Sequence, residues 1–189
     1  MLYATRRPVS LEQLGGALGS SSDAIEPHVD NLEERGRLIR SEDRLILGIA
    51  GLSAKPTQHV FVTSEGPRWT WCAWDALGIS ALQGRRTIVR SHCPQTGTPI
   101  EVRFSRRRVV SVPRSAVLMM PDRSTSCVTV EDWCPLVNLM ESPESAKRWL
   151  ESNDLSAAIL PIREAAFDSA HAFRPLLHPL PIRDRSSGH

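Results

Sequence analysis

The sequence predicts an α+β protein: a small helical, winged-helix-like N-terminal unit, then a mixed, mainly antiparallel β core with surrounding helices. Three observations lead there. Two short amphipathic helical patterns open the chain and run into a hairpin pattern. Short strand patterns follow one another between residues 86 and 120, separated only by turns. Helical patterns then flank that block, near residues 71–82, 142–151 and 163–173.

The elements follow in order. Ser10 precedes Leu11, Leu14 and Leu18, an N-cap ahead of an apolar stripe. Ser20 to Ser22 open a second helix whose buried face is Ile25, Val29 and Leu32, with Pro27 near its first turn and Gly36 at its end. Leu38-Ile39, the turn Ser41-Glu42-Asp43, and the alternating Leu45, Leu47 and Ile49 complete the order of a winged-helix unit. A linker near 54–58 leads to a strand at Val60-Phe61-Val62 and a turn at Ser64-Glu65-Gly66-Pro67. Trp71 to Leu82 reads as a helix. Strands follow at 86–91, 99–104, 107–112 and 115–120, with Cys93-Pro94-Gln95-Thr96-Gly97 as the first turn. Ser142-Pro143-Glu144 supplies an N-cap, a proline at N1 and a first-turn acid. Ala157 to Ile162 reads as a buried strand, 163–173 as a last helix, and the proline-rich remainder as a loose tail. The expected divisions are 1–58, 59–174 and 175–189.

A chain of 189 residues has room for one domain plus a small accessory unit. Its 41% hydrophobic and 23% charged residues exclude disorder over most of that length. A net charge of +2 is too small to mark an electrostatic nucleic-acid binder. Between Ser21 and Leu38, Asp23, Glu26, Asp30, Glu33 and Glu34 outnumber Arg35 and Arg37, so phosphates would repel that helix and DNA is an unfavoured partner. Lys55 and Lys147 are the only lysines, a bias that genome composition explains. The run Arg106-Arg107-Arg108 reads as a solvated turn.

No apolar run approaches the roughly 20 residues that span a bilayer. The first seven residues carry charge without an apolar stretch behind them. The expected location is therefore the cytoplasm, where thiols stay reduced. Cys72, Cys93, Cys127 and Cys134 are then packing residues, ligands or nucleophiles, and the absence of a CxxC pair argues against a zinc finger or thioredoxin-type site.

Cys72 and Asp75 lie three apart on the expected helix, sharing a face among Trp69, Trp71 and Trp74. A carboxyl group in such a dry wall has its pKa raised and can hold a proton near neutrality. Read alone, the spacing better suits an ordinary buried cysteine beside a solvated aspartate. Cys134, within Asp132-Trp133-Cys134-Pro135, is a second aromatic-flanked cysteine on an expected strand. Two thiols and a carboxyl make a soft-metal site if the fold joins them. Cys93 reads as structural and Cys127 as exposed; His92 has no partner in the sequence. P-loop, dinucleotide, HExxH and GxSxG patterns are absent.

At these residues the chain resembles the organomercurial (alkylmercury) lyases of bacterial mercury resistance. Trp71-Cys72-Ala73-Trp74-Asp75-Ala76-Leu77, Ala81-Leu82-Gln83-Gly84-Arg85 and Ser91-His92-Cys93-Pro94-Gln95-Thr96-Gly97-Thr98-Pro99 carry the resemblance, which spans about residues 6 to 178. It implies Cys72 and Cys134 as catalytic cysteines and Asp75 as the proton-transferring carboxylate, with all three as mercury ligands and Cys127 a rival to Cys134. The chain departs from the family pattern in a shorter N-terminal extension and in Pro135 after the second cysteine. The implied activity is protonolysis of the carbon–mercury bond without a cofactor, mercury being substrate and product. The implied partners are an organomercurial, small cytosolic thiols and a mercuric reductase. A non-catalytic soft-metal binder on the same fold and a thiol- or metal-responsive regulator are the alternatives.

Overall fold

The computed structural model describes residues 2–83, 86–106, 108–122 and 129–177. Cys127 and the tail beyond 177 lie outside them. A short turn of helix, α1 (Leu2–Thr5), precedes α2 (Leu11–Leu18) and α3 (Ser22–Glu34). Ser10 caps α2 in a full capping box with Gln13, and Ser21 caps α3 through the Ala24 N–H. Pro27 sits one turn deeper than the sequence suggests, inside α3. The strands β1 (Leu38–Arg40) and β2 (Ile46–Ile49) pair antiparallel. Arg40 bonds to Asp30 and Glu33, and Arg44 to Glu26. Glu26, Asp30 and Glu33 of α3 are thus engaged by the hairpin beside them.

β3 (Leu52–Ser53) extends that hairpin directly into the core sheet, where β4 (His59–Thr63) and β5 (Gly66–Thr70) follow. The expected turn at Ser64 to Pro67 is shorter than its composition implies, because Gly66 and Pro67 already pair with Thr63 and Val62. Helix α4 (Ala73–Leu82) comes next, then β6 (Thr87–His92), β7 (Pro99–Ser105) and β8 (Arg108–Val112). The eight strands lie in the order β1-β2-β3-β5-β4-β6-β7-β8. Arg106 and Arg108 are exposed at the β7–β8 turn.

A second sheet is built from β9 (Val117–Pro121), β10 (Asn138–Met140) and β11 (Ala157–Pro161), with β9 in the centre. Every pairing among the described residues is antiparallel. Helix α5 (Pro143–Asn153) starts in a capping box between Ser142 and Ser145 and packs on this small sheet. Helix α6 (Ile162–Leu177) continues through Arg174 and Pro175, past the expected end at 173, and packs along α4.

Helix α4 has no polar stripe because it has no wet side: Ala73 and every residue from Asp75 to Ser80 are buried. The main core joins Phe61, Leu77, Val89, Ile100, Val102, Leu118, Met119 and Leu139. A smaller core of Leu2, Val9, Val29, Leu38 and Ile46 lies under the first helices, and Leu52 touches both. No helix among the described residues is long and apolar enough to cross a membrane.

The α4–α6 contact is close at Gly78, where an added Cβ would lie 2.8 Å from the Phe173 ring and 2.9 Å from the Ser169 carbonyl oxygen. Alanine favours a helix over glycine by about 1 kcal/mol, yet overpacking costs about 1–3 kcal/mol. Gly78→Ala is therefore expected to destabilise the fold. A lower urea midpoint at unchanged slope checks this; an equal or higher midpoint would refute the close approach.

Candidate active site

Four pieces of chain meet at the N-terminus of α4. The first is α4 itself, which starts at Ala73, two residues later than the expected Trp71. Cys72 is its N-cap, in extended conformation at φ −146° and ψ 175°, and Asp75 is its third residue. Asp75 Oδ2 accepts the Cys72 backbone N–H at 3.1 Å and the Cys72 thiol at 3.1 Å. The N-terminus of a helix has free N–H groups to satisfy, and this pairing answers that need with a thiol and a carboxylate.

The second piece is the turn that carries Cys134. It is not a strand: Cys134–Leu136 is a turn of 3-10 helix following a π-helical turn at Thr129–Trp133. Pro135 explains the difference, since its fixed φ suits the start of a helical turn and it has no N–H for a ladder. Val137 caps the turn through the Cys134 carbonyl, and the Val137 carbonyl accepts the Ala73 N–H at 3.2 Å. That last bond ties the Cys134 turn to the start of α4. Asn138 holds it from the other side, donating to the Pro135 carbonyl at 2.9 Å while accepting from Gln58 at 3.2 Å. His59 lies nearby, bonded to Ser91 Oγ at 2.9 Å; burial lowers its pKa to about 4, so it is a neutral fastener.

The third piece is the β2–β3 turn. Ala50 and Gly51 both have positive φ, 50° and 82°, as a two-residue type I′ hairpin requires. A Cβ on Gly51 would lie 2.5 Å from the Asp75 carboxyl carbon, so glycine alone lets the turn close on that side chain. The Gly51 carbonyl accepts the Trp71 N–H at 2.9 Å. The fourth piece is the end of α6, which brings Ala172 and Phe173.

These pieces enclose a cavity of about 250 Å³, lined by Trp71, Trp74 and Trp133, by Ala50, Gly51, Ala172 and Phe173, and by Arg37, Asp75 and Cys134. The ligand atoms of Cys72, Asp75 and Cys134 all lie within 4.8 Å of one another, and all three residues are buried. Cys72 is fully buried behind the wall, whereas Cys134 and Asp75 line the cavity. Burial pushes the Cys72 thiol well above its ordinary pKa, with its bond to Cys134 and the nearby Asp75 charge acting the same way. Burial raises Asp75 from 3.8 to about 6, against the bonds from Cys72 and the charge of Arg37.

The structure thus brings together the three residues that sequence spacing could not join. It also corrects the wall: Trp69 is not among the lining residues, because it lies on β5 outside the cavity, and Trp133 takes its place. The Trp133 indole donates to the Pro121 carbonyl at 2.9 Å. Cys93 stands outside the cluster, with its N–H bonded to Thr98 in the β6–β7 turn and its sulfur 3.9 Å from Ser145 Oγ. Gly51, Asn138 and Arg37 were not legible as site residues, although an Ala-Gly pair between two apolar runs was a signal for the hairpin turn.

A family model described as alkylmercury lyase matches residues 52–173. The chain belongs to the alkylmercury lyase family. It is 32% identical over 195 residues to an alkylmercury lyase of Streptomyces lividans, covering 99% of this chain and 83% of that one. A Pseudomonas putida alkylmercury lyase is 33% identical over 168 residues, covering 87% and 76%. The fold is shared with the crystal structure of the mercury-bound form of MerB2, at a TM-score of 0.83, 23% identity, and coverage of 94% of this chain and 86% of that one.

The raised pKa of Asp75 makes a stability prediction for this alkylmercury lyase family member. Between pH 3.8 and about 6 the native carboxyl binds more proton than the unfolded one, so stability is greatest below that window and falls as pH rises through it. The shift corresponds to about 3 kcal/mol at most. Asp75→Asn removes the titration, so the wild type should lose up to that much relative to the variant between pH 4 and 7. Parallel stability curves for the two proteins would contradict a raised Asp75 pKa.

Proposed function

We propose that this protein cleaves the carbon–mercury bond of organomercurials by protonolysis, R–Hg⁺ and a proton giving R–H and Hg²⁺, with Cys72, Cys134 and Asp75 as its catalytic residues. One observation carries the reading: two thiols and a carboxyl, with their ligand atoms within 4.8 Å, stand together in a tryptophan-walled cavity. In this reading residues 59–174 form the lyase core. Residues 1–58 supply Arg37, Ala50 and Gly51 to its pocket.

The chemical difficulty is the leaving group, a carbanion too basic to depart without a proton. Soft mercury is captured by soft sulfur. Cys134 faces the cavity and meets the substrate first, exchanging onto mercury while the thiol that carried the substrate leaves with a proton. Cys72 adds next from behind the wall, and its proton passes to Asp75 Oδ2, already 3.1 Å away. The second sulfur pushes electron density onto mercury and weakens its bond to carbon. Asp75 then gives its proton to the carbon as that bond breaks, the work of a general acid–base with a pKa near the working pH. The balance is R–Hg–SR′ plus two protein thiols giving R–H, R′–SH and mercury held by two sulfurs. Small cytosolic thiols, or a mercuric reductase, then remove Hg²⁺ in the cytoplasm. Mercury is substrate and product, and the scheme calls for no cofactor.

Purified protein incubated with phenylmercury and excess small thiol should release benzene. Cys72→Ser and Cys134→Ser should abolish release. Asp75→Ala should still bind mercury but lose protonolysis, and Cys93→Ser should keep its turnover while losing stability. Full turnover by the Cys72 variant would refute the assignment; mercury bound by the wild type without benzene would leave a soft-metal binding protein.

A further inference from the structure

The cavity wall is aromatic and aliphatic except for Cys134, Asp75 and one cation, Arg37. The chain aims this residue through a specific helix ending. Gly36, at φ 61°, follows the Arg35 cap of α3. Its N–H bonds to the Glu33 carbonyl, and the Arg37 N–H to the Leu32 carbonyl, both at 2.8 Å. This is the double bond pattern of a Schellman ending, which reverses the chain after a helix. The Arg37 carbonyl then accepts the Ala50 N–H, locking the residue beside the β2–β3 turn and the cavity.

Arg40 and Arg44 on the neighbouring hairpin are engaged by acids of α3. Arg37 makes no ion pair among the described residues and is exposed; its charge is felt by Asp75. A guanidinium at the mouth of an apolar cleft acts on whatever enters, because low-dielectric walls focus its field. It repels a bare R–Hg⁺ cation. It also presents a planar fork of N–H donors that matches a carboxylate.

Resting on the lyase reading of this same pocket, we infer that Arg37 is a specificity-determining residue that selects mercurials arriving with a carboxylate. That carboxylate belongs either to the organic group or to the thiol that carries the mercury. The mercury then reaches Cys134 with its neighbouring anion held at the rim, and the apolar part of the substrate lies against the tryptophans.

The test compares kcat/KM for four substrates, the last a cationic control, in the wild type, Arg37→Gln and Arg37→Glu. Phenylmercury carried by 2-mercaptoethanol is the neutral reference. 4-Mercuribenzoate with 2-mercaptoethanol places the carboxylate on the organic group, and phenylmercury with mercaptoacetate places it on the carrier. Hydrocarbon or benzoate release is measured for each. Arg37→Gln should lower the carboxylate-to-neutral ratio by about three- to tenfold in at least one arm, the scale of a partly exposed ion pair. Arg37→Glu should lower it further and favour phenylmercury carried by cysteamine, whose ammonium has the opposite charge. A fall confined to one arm identifies the source of the carboxylate. Ratios unchanged in both arms, or a uniform loss across all substrates, would overturn the inference while leaving the lyase reading intact. No release from any substrate by the wild type would overturn both.

Discussion

One carboxylate oxygen at the start of α4 serves two donors, the backbone N–H and the thiol of Cys72. The pocket depends on that double role. A capping box ordinarily pairs a serine or threonine with a glutamate or glutamine three residues on, for helix stability alone. With cysteine and aspartate in those places, the same local requirement presses an acid–base group against a sulfur. Nothing distant has to hold that pair in register, since the geometry of a helix N-terminus does so. The helix end favours the ionised carboxyl and burial opposes it; the outcome, a pKa of about 6, lets Asp75 both take and give a proton near neutrality.

The other members of the site are placed mostly by main-chain bonds. Ala73 N–H to Val137, Trp71 N–H to Gly51 and Ala50 N–H to Arg37 join α4, the Cys134 turn, the hairpin tip and the end of α3. Thr70 Oγ1 adds a bond to the Cys72 carbonyl at 3.0 Å. Such bonds survive exchange of the side chains they flank. Substituting Cys72 or Cys134 therefore tests chemistry with little disturbance of position, whereas Gly51 is different because its missing Cβ is itself the space that Asp75 occupies.

This division also explains what the sequence could disclose. Ser10, Ser21 and Ser142 marked their helices because capping is decided within four residues. The Cys72–Asp75 pair was visible as a three-residue spacing, though as two residues on one helix face rather than as a cap. Cys134 could be suspected from its aromatic neighbour but not placed, because its approach rests on pairing of β10 with β9 and on one bond from Val137 to Ala73. The sequence cluster of tryptophans misled at Trp69, since adjacency along a strand says nothing about which face meets a helix start. Trp133, 64 positions further on, lines the cavity, with its indole donating to the Pro121 carbonyl at the end of β9. Cys127 and the proline-rich tail beyond 177 lie outside the described residues.

The burial of Cys72 bears on where the reacting proton comes from. A thiol held well above its ordinary pKa is a poor free nucleophile, which looks unfavourable for a residue meant to attack mercury. In the proposed scheme its burial instead keeps a proton stored beside Asp75, away from bulk water, until mercury arrives. A soft cation on the neighbouring sulfur lowers the pKa of an approaching thiol steeply, as a coordinating metal deprotonates its thiol ligands. The proton is then released only when mercury is already in place, and Asp75 is the acceptor within hydrogen-bonding distance. In the proposed scheme the proton that ends on carbon is the one Cys72 gave up. Under that scheme cleavage is coupled to capture by both sulfurs, and a mercurial held by Cys134 alone would stay intact.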